Sequence, residues 1–326
     1  MARKLSNIRA GMLALAVTLP AVAGAQAPTY ITQWGTFGIG SAQFNTPAGV
    51  AVDANGNVYV VDYALSRIQK FTAGGDYVTQ FGTFGIGAGE LRFPIGLAVA
   101  ADGTICVADQ YNHRIEKFTS GGAYITHWGG LGKGFLEFLY PVGVGADASG
   151  NIYVADSNNH RIEKFTNGGT GVTEWGSFGS GAGQFNLPQF VAASANGAVY
   201  VTDYSSDRVQ MFSSDGVYIN QWGTLGTGDG QFNHPQGLAV DVGGNVYVAD
   251  SGNNRIQIFS SEGVYLAQWG SAGSGNGQFS GPGGLAVDAS GNVYVADPGN
   301  YRIQKFGPLP TPTYSTSWGR LKRLYR

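Results

Sequence analysis

The sequence predicts an all-β fold assembled from six copies of one four-stranded unit, and three observations carry that expectation. The first is register. Pro47, Pro94, Pro141, Pro188, Pro235 and Pro282 recur every 47 residues, and Asp62, Asp109, Asp156, Asp203, Asp250 and Asp297 keep the same interval. So do Arg67, Arg114, Arg161, Arg208, Arg255 and Arg302, and Phe71, Phe118, Phe165, Phe212, Phe259 and Phe306, with no insertion or deletion between the copies. The second is local composition. Each copy holds four short runs rich in Val, Ile, Tyr and Phe, bounded by Gly, Asn, Asp and Ser, the pattern of strands joined by tight turns. The third is that the second run, "NVYVVD" at 57–62 in the first copy, is apolar almost throughout, so both faces of its sheet must be covered. Six antiparallel four-stranded sheets covering one another around an axis make a six-bladed β-propeller. No copy could bury its faces alone.

The strands of the first copy are "GVAVD" (49–53), "NVYVVD" (57–62), "RIQKF" (67–71) and "YVTQF" (77–81). The turn between the first two reads "DANGN", with Asp at its start and Gly where φ must be positive. Ring closure requires the chain ends to meet, and two segments compete. "TYITQW" (29–34) is a fourth strand standing ahead of the first complete copy, whereas "TYSTSW" (313–318) follows a "GPLPTP" spacer. The latter carries Ser315 where other fourth strands carry Ile31, Val78, Ile125, Val172, Ile219 and Leu266. The N-terminal strand is therefore expected to close the ring beside residues 302–306. The propeller then spans 26–311, and 312–326, ending "GRLKRLYR", is a basic tail.

"NHRI" at 112–115 and 159–162, "NNRI" at 253–256 and "NYRI" at 300–303 resemble the signature of the NHL repeat family. "GQFNHPQGLAVDVGGNVYVADSGNNRIQIF" (230–259) resembles that family's repeat along its whole length. The resemblance extends over all six copies and implies a six-bladed propeller. It implies less about function, because relatives bind RNA, proteins or sensory ligands, and some related propellers are lyases or hydrolases.

Residues 1–25 read as a secretory signal peptide: Arg3, Lys4 and Arg9, then "AGMLALAVTLPAV" (10–22), then Ala23-Gly24-Ala25. The apolar run is shorter than the ~20 residues a transmembrane helix needs, so an exported, extracellular or periplasmic protein without a transmembrane segment is expected, as a monomer. Removing the three cations moves the formal net charge from −2 to −5, which offers no electrostatic footprint for nucleic acid. Cys106, the only cysteine, excludes an intramolecular disulfide and fills the slot of Tyr59, Tyr153, Tyr200, Tyr247 and Tyr294, where a buried thiol is expected.

The string "NHRIEKF" occurs at 112–118 and again at 159–165. Its Arg belongs to the six-fold series and is expected to pair with the six-fold Asp across the turn between second and third strands. Its His position reads Ser66, His113, His160, Asp207, Asn254 and Tyr301, so the repeat does not require imidazole. With His127 and His234 elsewhere, no three convergent ligands for a catalytic metal are evident. No catalytic residue, metal or cofactor is therefore assigned. The runs "GTFGIGSA" (35–42) and "GTFGIGAG" (82–89) lack the helix that a nucleotide-binding glycine motif must open, and read as long connections.

Residues that recur in every copy are explained by the blade, so specificity must reside in the departures. Beside the prolines, Phe93, Tyr140, Leu187 and Phe190 place bulky apolar groups on copies 2 to 4, and Tyr111 and Tyr204 stand in the neighbouring turns. These six residues are the candidate binding surface at the channel mouth, for a protein, peptide or glycan partner. The expected function is an exported, non-catalytic binding or scaffold module. The alternative is a lyase or hydrolase working at the channel mouth with His113, His160 and nearby tyrosines.

Overall fold

The computed structural model describes residues 27–310. Its strands form six separate four-stranded sheets, each an antiparallel meander. In blade 1, Pro47–Val52 is innermost, followed outward by Val58–Asp62, Arg67–Phe71 and Tyr77–Phe81. Blades 2 to 5 repeat this order. Blade 6 is completed by Tyr30–Trp34, which lies antiparallel to Arg302–Phe306 with Trp34 opposite Ile303. The Gly307 N–H donates to Thr29 O at 2.7 Å, and Arg302 Nη1 donates to Gln33 Oε1 at 2.7 Å. The N-terminal strand thus closes the ring, as its apolar pattern predicts. The expected signal peptide and basic tail lie outside the described residues.

The second strand of blade 1 is buried at every position, because each sheet is packed between two neighbours. Tyr59, Ile68 and Phe81 of blade 1 form one cluster with Leu97, Ile105 and Val107 of blade 2. Each fully buried side chain of this size contributes about 1.5–3 kcal/mol, and the clusters repeat around the ring. The inner strands touch main chain to main chain. Gly96 N–H donates to Val142 O of the next blade at 2.9 Å, and a Cβ at Gly96 would collide with that carbonyl. Cys106 is fully buried, and burial pushes its thiol up to about 12.

The Asp–Arg pairs are present in all six blades. Arg161 Nε donates to Asp156 Oδ2 at 2.9 Å, and its other nitrogens reach back to the carbonyls of Lys133, Gly134 and Glu137. The arginine therefore pins the glycine-rich connection as well as the turn. Arg67 and Arg114 hold Ile39 O and Ile86 O in the same way, each at 2.9 Å.

Candidate binding face

The connections into the inner strands and the turns after the second strands share one end of the ring. Pro141 stands opposite Asp156, and the turn residue Asn158 donates to Leu139 O at 3.1 Å. Here four of the five non-glycine residues before the prolines adopt left-handed backbone, Thr46 being the exception: Phe93 at φ 51°, Tyr140 at 54°, Leu187 at 65° and His234 at 54°. Such a conformation costs a non-glycine residue about 1–3 kcal/mol, and a bond to the preceding blade offsets it. Phe93 N–H donates to Ser66 Oγ (3.2 Å), Tyr140 N–H to His113 Nδ1 (3.1 Å) and Leu187 N–H to His160 Nδ1 (3.4 Å). His234 N–H donates to Asp207 Oδ1 (2.7 Å) and Gly281 N–H to Asn254 Oδ1 (2.8 Å). In five of the six copies the histidine position thus supplies an acceptor joining adjacent blades; in the sixth Tyr301 stands there, and Thr46 N–H donates instead to Asp62 Oδ1 at 3.1 Å. Burial lowers the pKa of both His113 and His160, which favours the neutral, accepting ring.

Three of the candidate residues come together. Tyr63, Phe93, Tyr111 and Tyr140 form a continuous aromatic arc over blades 1 to 3, with successive ring centroids 5.2, 5.1 and 5.2 Å apart. His113 ends the arc, 4.7 Å from Tyr140. Tyr111 is 38% exposed, and Phe93 and Tyr140 are half-buried beneath it. Tyr204 lies apart, stacked on His234 at 4.6 Å, and its N–H donates to Leu187 O at 3.2 Å.

Phe190 requires a correction. It is only 9% exposed and belongs to an apolar cluster with Val142, Leu238 and Ile95 that fills the ring beneath the mouth. It is core rather than exposed surface. The physical reason is the irregular register between Pro188 and Val191, which breaks the strand's alternation of faces. The other five blades have Gly at this position. Thr202 compensates: its hydroxyl accepts from Phe190 N–H at 3.0 Å and donates to Gln236 O at 2.7 Å, bridging two inner strands.

Sequence reasoning missed a second feature of this face. The glycine-rich connections, read as mere linkers, expose Phe37 (62%), Ile39, Phe84, Ile86, Leu131, Phe178 and Leu225 on blades 1 to 5. A signal existed, since an apolar residue stands two places after the first glycine in every copy, from Phe37 to Ala272. Phe84 packs 6.0 Å from Phe93, so the tips continue the arc outward.

At the centre is a depression of about 420 Å³, lined by Thr46, Ala48, Tyr63, Ile95, Gln189, Tyr204, Gln236, Gly281 and Gly283 among others. It opens over the small residues of blades 6 and 1, and Ile95 joins it to the apolar cluster below. Among the described residues, no group of three or more His, Cys, Asp or Glu could hold a metal ion. No helix of the described residues is long and apolar enough to cross a membrane.

Ring and blades define a six-bladed β-propeller. Its copies match the NHL repeat family model at residues 44–71, 91–118, 138–165, 232–259 and 279–306, and the chain belongs to the NHL-repeat family. The fourth copy, which holds Phe190 and Thr202, is not among the matched segments. Comparison with curated proteins gives no match. Solved structures with a similar fold include a protein of unknown function from Bacteroides thetaiotaomicron, at 18% identity and a TM-score of 0.65, covering 87% of this chain and 83% of that one. A gluconolactonase from Xanthomonas campestris shares 15% identity with a TM-score of 0.61, covering 89% and 99%. A catalytically inactive virginiamycin B lyase from Staphylococcus aureus, solved with quinupristin, shares 16% identity with a TM-score of 0.57, covering 82% and 86%. At these identities the likeness is one of fold.

Proposed function

We propose that the protein is an exported, non-catalytic binding or scaffold propeller that engages a protein, peptide or glycan partner on its channel-mouth face. The aromatic arc from Tyr63 to Tyr140 carries this reading. It is asymmetric, occupying blades 1 to 3 of an otherwise repetitive ring, and it is presented on backbone pinned by Arg67 and Arg114. Preorganised aromatic side chains lose little entropy on binding and are common interface anchors. The test compares retention of a binding partner from an envelope extract by the wild type, Tyr111→Ala and Asn57→Ala, the last on the opposite face. Equal retention by all three would refute the assignment of the face.

A lyase or hydrolase reading rests on the fold shared with the lyase and the gluconolactonase. In this chain His113 Nδ1 and His160 Nδ1 each accept a main-chain N–H, a role that Asn254 performs in blade 5. That arrangement supports a structural part for both histidines. Turnover of lactone or cyclic peptide substrates that His113→Asn abolishes would favour the enzyme.

A further inference from the structure

The lining of the central depression has a distinctive chemistry. Its polar side chains are two primary amides, Gln189 and Gln236, one hydroxyl, Thr46, and two phenols, Tyr63 and Tyr204. Each of these groups both donates and accepts hydrogen bonds. None is a carboxylate, amine, guanidinium or imidazole, and burial, with the Tyr111 phenol beside it, raises the Tyr63 phenol above its ordinary value. The Gln236 amide and the Tyr204 hydroxyl have no hydrogen-bond partner among the described residues, and Gln189 Nε2 has only a long 3.4 Å bond to Ser157 Oγ. The depression thus presents unengaged neutral donor–acceptor groups between two aromatic rings.

The main chain of the mouth, by contrast, is already committed. Ala48 O accepts from Gly284 N–H at 2.7 Å, Gln236 O accepts from the Thr202 hydroxyl at 2.7 Å, and Ile95 N–H donates to Ala108 O at 3.2 Å. A peptide added as a strand needs a free edge of main-chain groups, and these inner strands have none to give at those positions. A charged ligand would find no counter-ion in the lining. What remains complementary is a ligand whose polar groups are hydroxyls, each donor and acceptor, and whose C–H faces stack on aromatic rings. That is a neutral sugar. The volume of about 420 Å³ lies within the ~300–1,000 Å³ range of small-molecule sites.

We propose that the central depression is a carbohydrate site, taking a short neutral oligosaccharide between Tyr63 and Tyr204, with its hydroxyls on Gln189, Gln236 and Thr46. The assignment rests on the reading of the channel-mouth face as a binding surface and specifies its central ligand. Tyr63 belongs to both the aromatic arc and this site, whereas Tyr111 and Tyr140 flank it without lining it.

The test applies the full chain to parallel arrays of neutral oligosaccharides, acidic oligosaccharides and peptides. Binding is expected to be confined to the neutral oligosaccharides. Gln236→Ala and Gln189→Ala should each weaken it at least tenfold with an unchanged circular dichroism spectrum, while Asn57→Ala, in a turn at the far end of the ring, should leave it intact. Binding of acidic oligosaccharides alone, or neutral binding insensitive to both glutamine variants, overturns the proposal. Peptide binding that Tyr111→Ala removes, without any glycan bound, overturns the carbohydrate site but leaves the binding face standing. No binding on any array counts against both.

Discussion

Arg161 Nε donates to Asp156 Oδ2 at 2.9 Å while its Nη atoms hold three carbonyls of the preceding connection, with both side chains buried. One residue therefore ties the turn between two strands to the loop that carries the face. Arg161→Ala strands a buried carboxylate and three loop carbonyls, and should destabilise by about 3 kcal/mol or more. Arg161→Lys should rescue little, because an ammonium cannot span the carboxylate and the loop together. Thermal and urea unfolding check both. A near-wild-type Arg161→Ala would remove the architectural role.

The neighbouring His160 should behave differently. It sits at φ 57° and accepts a 3.4 Å bond from Leu187 N–H, so His160→Ala loses an acceptor and strains the turn by about 1 kcal/mol. His160→Asn should be silent in stability, since Asn254 already fills the equivalent position in blade 5. A His160→Asn variant that unfolds would contradict this account of the repeated "NHRIEKF".

The Glu of that string makes a pH prediction. Four blades carry Gln at its position, and their amides donate to the loop, as Gln69 Nε2 does to Gln43 O at 2.7 Å. Glu116 and Glu163 cannot donate when ionised, and each shares one buried arginine with a buried aspartate. Burial pushes both up to about 7 from the ordinary 4.5. Between those values the folded protein retains protons that the unfolded chain has released, so stability falls as pH rises through this window. Glu116→Gln with Glu163→Gln should flatten that fall and stabilise the protein by about 1 kcal/mol at pH 8. Parallel stability–pH profiles for variant and wild type would sink the prediction.

Ring closure predicts an asymmetry between the ends. Removing residues 26–34 deletes the outer strand of blade 6 and exposes Phe306, which packs against Tyr30 at 6.1 Å. The melting temperature should fall steeply, whereas removing 313–326 should change it little. The opposite ranking would assign closure to the C-terminal segment.

The six-fold register made the blades, the closing strand and the Asp–Arg pairs legible, because period-2 patterning and turn chemistry agree at each. The face was legible in part. Phe93, Tyr111 and Tyr140 stand out as departures from the repeat and do meet in the arc. Phe190 is the same kind of departure, yet its direction is set by a bulge, where alternation no longer tells inside from outside. Phe37 and Ile86 escaped notice for another reason. A glycine-rich run discloses a connection, but only the distant arginine that pins it shows which side chains it exposes.

Phe190 and Tyr140 should therefore separate in experiment. Phe190→Ala opens a cavity against Val142 and Leu238 and should cost about 3–5 kcal/mol in stability. Tyr140 is half-buried at the end of the arc, and its main-chain bond to His113 survives truncation, so Tyr140→Ala should keep the circular dichroism spectrum. If the arc is the anchor for a partner, Tyr140→Ala and Tyr111→Ala each remove an aromatic contact worth about 2 kcal/mol and should weaken binding at least tenfold. Asn57→Ala and Asn245→Ala alter turns at the far end of the ring, where their amides hold Asp53 and Asp241, and should leave binding unchanged. Loss of binding in the far-end variants with retention in the arc variants would move the functional face to the other side of the propeller.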